Sequence, residues 1–269
     1  MELIAASRIP KAQARVTASK PYADQLVEVI RNVSGASSGA THPLLEEREI
    51  KTVGMLVVAS DRGLAGAYAS NIIRMAETAA LAHEGAGRSV RIYAVGKKAN
   101  DYFAYRKYTI VRSLVGVTDM PGYGDARAIA NMVMDGHASE ALDSVEAYYT
   151  QYQSAITQVP SFLGLVPIAR PEAAEPDETV ASVDYSYEPE PAEILGRLLP
   201  RYIEALIFNM LLQSSASEHS ARRRAMKAAT DNAEDLIILL TRVANRARQA
   251  EITTEISEIV GGAEALSLG

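Results

Sequence analysis

Apolar residues along this chain follow two different rhythms. From Pro191 to Leu266 the pattern is almost unbrokenly helical, and Leu236, Leu240, Val243, Ala247 and Ala250 recur at alternating spacings of four and three. That is the narrow seam of a coiled coil, not the broad stripe of a surface helix. A helix of roughly 75 residues would be about 110 Å long, more than a domain of this size is wide, so it is expected to project. The N-terminal end carries the same rhythm: Ile9, Ala12, Val16, Ser19, Ala23, Leu26, Ile30 and Val33 step by three and four. Residues 1–36 therefore read as a second seam-bearing helix. Kinks are expected at Pro10 and Pro21, each of which removes a backbone donor, and the run Ser34 to Gly39 is expected to end the helix.

Residues 50–187 alternate short apolar runs with helical patterns. Val53–Ala59, Val90–Val95, Tyr108–Val115 and Val145–Tyr152 read as strands. Helices are expected over Ile72, Ile73, Ala76 and Ala80, ending near Gly85; over Lys97–Arg106; and over Ile129, Met132 and Val133, capped by Asp125. Arg170–Glu178 reads as a loop and Ser182–Tyr187 as an edge strand. Alternation of this kind implies α/β class, with a Rossmann-like, mostly parallel sheet covered on both faces. The sheet domain is inserted between N- and C-terminal helices that can meet only as an antiparallel coiled coil, giving parts at 1–36, 50–187 and 191–266. About 50 Å of the first helix faces about 110 Å of the second. The remainder, from about Thr241 onward, needs a partner outside the chain.

Composition narrows the function. With 269 residues, 48% hydrophobic and 22% charged, the chain can bury a core. A net charge of −6 argues against counterion-driven nucleic-acid binding. The absence of cysteine excludes disulfides and thiolate chemistry. No apolar run is long enough to span a membrane, and no signal-peptide pattern opens the sequence, so a soluble, intracellular protein is expected.

Few motifs suggest chemistry. Asp61 to Tyr68 (DRGLAGAY) lies between a strand and a helix, where dinucleotide-binding loops occur, but lacks the three-glycine fingerprint. It reads better as a glycine-dependent turn that buries an Asp–Arg network. Gly96-Lys97-Lys98 lacks the upstream glycine of a phosphate loop. His42, His83, His137 and His219 have no metal-ligand spacing, and no Gly-x-Ser-x-Gly elbow occurs. Glu46 and Glu47 sit in polar surroundings and read as a solvated loop. Arg222, Arg223, Arg224 and Lys227, among alanines at 216, 221, 225, 228, 229 and 233, read as the cationic outer face of a tightly packed coiled-coil waist. Arg242, Arg246 and Arg248 precede Glu251, Glu255, Glu258 and Glu264, so one helix can face partners of opposite charge. Two alternatives remain at this point: a small-molecule-binding α/β domain with a coiled-coil oligomerisation arm, and a coiled-coil scaffold or transcription-associated factor, which the acidic charge disfavours.

Several segments, in order, carry a resemblance. Met1–Ser7 (MELIAAS), Ser19–Ala23 (SKPYA), the turn Ser60–Gly66, Tyr187-Glu188-Pro189, Ala225–Ala233 (AMKAATDNA), Asn245–Ala250 (NRARQA) and Glu255–Ala263 (EISEIVGGA) are similar to the gamma subunit of F-type ATP synthases. The resemblance implies a non-catalytic rotor shaft without a cofactor or bound metal. It would couple proton-driven rotation of a membrane c-ring to conformational cycling of the catalytic beta subunits, and so regulate ATPase activity. Alpha, beta, epsilon and c-ring subunits are the implied partners, with no nucleic acid. Membrane association is implied only through the complex, on the cytoplasmic face of the cell membrane.

By match to the family motifs, Arg248, Gln249 and Thr253 would contact beta through hydrogen bonds formed at only some rotor angles. Ile252, Ile256, Ile259 and Val260 would form the bearing at the tip. Leu195, Arg201 and Tyr202 would contact epsilon or the c-ring below. Three positions depart from the family pattern: Glu251 replaces a small polar residue, Pro200 replaces a basic one and is expected to bend its helix, and Ala65 replaces a cysteine. The family's N-terminal helix begins several turns upstream of the position of Met1, so a longer native chain is expected.

Overall fold

The computed structural model describes residues 1–36, 42–168 and 190–267. Its elements run α1 (Glu2–Ala36), β1 (Thr52–Val58), α2 (Tyr68–Gly85), β2 (Ser89–Val95), α3 (Lys97–Tyr105), β3 (Ile110–Leu114), α4 (Tyr123–Ala138), β4 (Ser144–Tyr152), β5 (Gln158–Val166) and α5 (Pro191–Ser267), with a short 3-10 turn at Pro43–Leu45. They fall into two units, Met1–Arg224 and Ala225–Gly269. The expected loop Arg170–Glu178 and strand Ser182–Tyr187 lie outside the described residues, as do Ser37 to Gly39 of the run expected to end α1.

The sheet of the first unit has the order β3-β2-β1-β4-β5. β1 pairs parallel with β2 and β4, β2 pairs parallel with β3, and β5 runs antiparallel to β4. β1 is apolar throughout because both of its faces are covered. Val53, Met55 and Val57 pack under Ile72, Ile73, Ala76 and Ala80 of α2 and Ala99 and Phe103 of α3. Leu56 and Val58 face a larger core built by α4, α1 and the first turns of α5. β5 lies outside the sequence-based expectation because Pro160 and Gly164 interrupt the strand signal. As an edge strand it tolerates both.

The two terminal helices pair antiparallel within this unit. Leu26, Ile30 and Val33 near the end of α1 share a core cluster with Leu195, Leu199 and Ile203 near the start of α5. Midway, Asn209 Nδ2 donates to Ser19 Oγ at 3.0 Å. Of the expected seam, Ile9, Ala12, Leu26, Ile30 and Val33 are buried, while Val16, Ser19 and Ala23 are half-buried. The helix continues through Pro10 and Pro21, whose rings lie on its exposed side, and α5 likewise continues through Pro200. The expected cap at Asp125 is displaced: Asp125 is the third residue of α4, and its carboxylate reaches back to accept from the Gly122 N–H at 2.7 Å.

Phe103 is fully buried and meets Tyr102 and Tyr108 edge-on, each with ring centroids 5.5 Å away. Phe103→Ala is expected to destabilise the protein by about 3–5 kcal/mol in urea unfolding followed by circular dichroism. A loss under about 1 kcal/mol would show that this half of the core does not carry the fold.

Candidate functional site

The second unit is a helix with its apolar residues uncovered. Every residue from Lys227 to Leu266 is exposed, and at 1.5 Å per residue the stretch is about 60 Å long. Leu236, Ile237, Ile238, Leu239 and Leu240 are each more than half exposed, at 51–62%. Five consecutive apolar residues turn through more than a full circle, so this level of the helix is apolar on all sides. Ile252, Ile256, Ile259 and Val260 continue the exposure at 47–66%. Contiguous apolar surface on this scale marks an interaction site.

The polar residues here are of two kinds. Thr230, Thr241, Thr253, Thr254 and Ser257 each donate a hydroxyl to the carbonyl four residues earlier in their own helix, at 2.8–3.0 Å. Arg248 and Gln249, by contrast, have exposed side chains with no hydrogen bond or ion pair among the described residues. The beta-contact residues expected from sequence thus differ in availability: Arg248 and Gln249 are free, while the Thr253 hydroxyl is already used on Gln249 O.

In the first unit, polar residues of α5 dock on the sheet where doubly wound folds usually hold ligands. The chain switches direction between β1 and β4, and the crevice at their C-terminal ends is the usual binding place. β1 pairs with β4 only as far as Val57 opposite Tyr148, so β4 outlasts it by several residues. Thr150 N donates to Ser214 Oγ at 3.5 Å, Ser217 Oγ donates to Thr150 O at 3.3 Å, and Tyr152 N donates to Gln213 Oε1 at 3.3 Å. Tyr68 Oη donates to Ser214 O at 3.1 Å, and burial raises this phenol far above its ordinary pKa. The crevice is filled by the protein's own helix.

The arginine cluster faces inward more than expected. Arg222 bonds Glu218 at 2.5 Å and reaches Gly63 O at 3.4 Å. Glu218 is 2% exposed, and burial raises its carboxyl pKa against the opposing pull of Arg222. Arg224 donates to Ile156 O and Gln158 Oε1 in the β4–β5 turn. Arg223, Arg224 and Lys227 are exposed, as expected for a cationic face, although Arg224 is tied back to the sheet domain. These polar anchors are missed by pattern reading; the available signal was the run Gln213 to Ser220, seven polar residues in eight within a helix.

Other expectations change as well. Arg62 is exposed, so the turn at 61–66 buries no Asp–Arg network. Asp61 instead accepts from the Lys97 N–H at 3.0 Å, the Thr118 N–H at 3.2 Å and the Thr118 hydroxyl at 2.9 Å. Burial opposes its charge, but these bonds and one from the Gly116 N–H outweigh it and hold the carboxyl below its usual range. Leu195, expected to contact a neighbour below, is 1% exposed and belongs to the core, so it has no surface to offer. Tyr202 is half-buried against that core, and Arg201 is exposed. The histidines are dispersed: His137 lies buried between the carbonyls of Leu142 and Pro43, and His219 lies beside Asp119 O.

A family model described as ATP synthase matches residues 1–266. The chain is 45% identical over 266 residues to the ATP synthase gamma chain of Desulfitobacterium hafniense, covering 99% of this chain and 92% of that one. It is 46% identical over 271 residues to the ATP synthase gamma chain of Acidothermus cellulolyticus, covering 99% and 90%. Among solved structures it is similar to a chain of the central stalk and c-ring of Tetrahymena thermophila mitochondrial ATP synthase, with a TM-score of 0.65 and 25% identity over 86% of this chain and 97% of that one.

The Asp61 bonds predict a pH dependence. A carboxyl held below its ordinary value of 3.8 stabilises the fold above that pH, and the contribution is lost as pH falls through the folded value. Asp61→Asn is expected to unfold about 1–2 kcal/mol more easily at pH 7, with the difference shrinking as pH falls below the ordinary carboxyl value of 3.8 and through the lower folded value. A difference that does not change with pH would remove the charge from the explanation.

Proposed function

The chain belongs to the ATP synthase gamma-chain family, and from that premise we infer how its parts share the work of a central rotor shaft. It is a non-catalytic subunit; the catalytic sites of the complex are on beta. Its contribution is asymmetry. A rod that presents different side chains in different directions biases chemically equivalent neighbours toward different conformations, and turning the rod passes each neighbour through the whole series.

The observation that carries this reading is the uncovered helix after Arg224, with its apolar level at 236–240 and free cations beyond. We assign Ile252, Ile256, Ile259 and Val260 to a bearing inside the alpha–beta ring: apolar contact is non-directional and leaves no bond to break as the rod turns. Arg248 and Gln249 form the angle-dependent contact with a loop of beta, because charge-assisted hydrogen bonds demand geometry. Arg201, with the exposed part of Tyr202, remains for a lower contact to epsilon or the c-ring. The division at 1–36, 50–187 and 191–266 follows these roles: the sheet domain is the foot and the helices are the shaft. No helix among the described residues is long and apolar enough to cross a membrane. From family membership we assign this subunit to the peripheral part of the membrane complex, and propose that it lies on the cytoplasmic face of the cell membrane, reached through its partners.

Assembly with alpha and beta subunits into an ATPase whose activity depends on this chain tests the reading, and activity indifferent to its presence would end it. Within that assembly, Arg248→Ala is expected to lower steady-state hydrolysis about tenfold, the loss of one charge-assisted hydrogen bond. Thr253→Ala is expected to stay within about twofold, since its hydroxyl bonds its own helix. Equal losses in both would assign the effect to helix stability and not to contact.

A further inference from the structure

A shaft that transmits torque cannot be free to spin in its socket, and apolar attraction is non-directional whereas hydrogen bonds depend on angle. Within the first unit, α5 is not held by apolar packing alone. From Gln213 to Arg224 its side chains make directional bonds to three separate parts of the sheet domain. Gln213, Ser214 and Ser217 bond the backbone of β4 at Thr150 and Tyr152. Arg222, braced by Glu218, bonds Gly63 O in the turn before α2. Arg224 bonds Ile156 O and Gln158 Oε1 beyond the end of β4.

A fourth set lies on the loop before α4. Ser215 Oγ donates to Asp119 O at 3.1 Å, and the Asp119 carboxylate pairs with Arg8 of α1. At about 100° per residue, Gln213, Ser217 and Arg224 fall on one side of the helix and Ser215 and Arg222 on roughly the opposite side, so the bonds hold it from two directions. A rotation of α5 about its axis that shortens one set therefore lengthens another. The turn at Gly63 is itself fixed: Asp61 ties its start to Thr118 and Lys97, and Ala65 is buried.

We propose that Gln213–Arg224 is a torsional key, a ring of directional bonds that locks the rotation angle of α5 to the sheet domain, with Arg222 and Arg224 as its outermost positioning residues. The proposal rests on the rotor reading and adds to it the place where twist passes between helix and foot. The key and the tip bearing are built on opposite principles: bonds that break if the helix turns, and apolar contact that does not.

The test uses the whole membrane complex, immobilised by its alpha–beta ring, with a probe on the c-ring reporting thermal angular fluctuation of the stalled rotor. Arg224→Ala removes an exposed side chain from the key with little risk to folding, and Arg222→Ala combined with it removes the second anchor. The double variant is expected to raise the angular variance about twofold, as for springs acting in parallel when half are cut. Hydrolysis by the detached alpha–beta–gamma part should be unchanged under Arg224→Ala alone. Leu199→Ala, which thins the apolar socket, should lower the melting temperature without raising the variance. Unchanged variance in both arginine variants, or an equal rise in Leu199→Ala, would overturn the key. An unmodified complex that shows no rotation would overturn the rotor reading instead, so the two failures are distinguishable.

Discussion

The fold depends on a mismatch in strand length. β4 continues past the end of β1, so backbone groups of Thr150 and Tyr152 lose their strand neighbour while still buried. Buried amides and carbonyls without partners are costly enough that something must supply them. In this chain the supplier is a helix. Gln213, Ser214 and Ser217 of α5 meet the open edge of β4, which explains why a buried helix carries a polar run that would otherwise destabilise it. Once α5 is fixed there, its start at Leu195–Ile203 falls over the lower face of the sheet, and α1 packs antiparallel beside it.

This arrangement also occupies the place where an α/β sheet domain usually holds a ligand. Doubly wound sheets bind small molecules in the crevice where the chain switches direction. Here that crevice holds Ser214, Ser217 and Glu218, and its entrance holds Arg222 against Gly63 O. The sheet serves as a mount for a helix. The same architecture that elsewhere presents a cofactor has been put to mechanical use, with the strand order β3-β2-β1-β4-β5 of the doubly wound fold.

Much of this was legible in the sequence because it depended on periodicity within single elements. The seam of α1 and the apolar run of β1 follow from spacing alone, whereas the bare part of α5 was expected only from about Thr241 and begins at Lys227. What could not be read depended on the neighbour. Leu195 has the same sequence character as an exposed leucine, and only the arrival of α1 and α4 buries it. Arg222 and Arg224 read as a charged surface until the turn at Gly63 and the end of β4 are seen to lie within reach. Asp61 was expected to pair with Arg62, its neighbour in sequence, whereas its partners are 36 and 57 residues away. β5 was hidden because edge strands admit residues that central strands exclude. The family itself was readable from short segments at both ends of the chain.

The hydroxyl groups of the bare helix have one more consequence. Thr230, Thr241, Thr253, Thr254 and Ser257 each donate to their own backbone, so their donor protons are committed before any neighbour arrives and only acceptor capacity is left. A surface sweeping past such a helix finds acceptor oxygens where it would otherwise find donors. There are few catches for it to fall into between the intended stops. Friction in a molecular machine is partly a matter of free donors, and along this helix these five hydroxyls have committed theirs in advance.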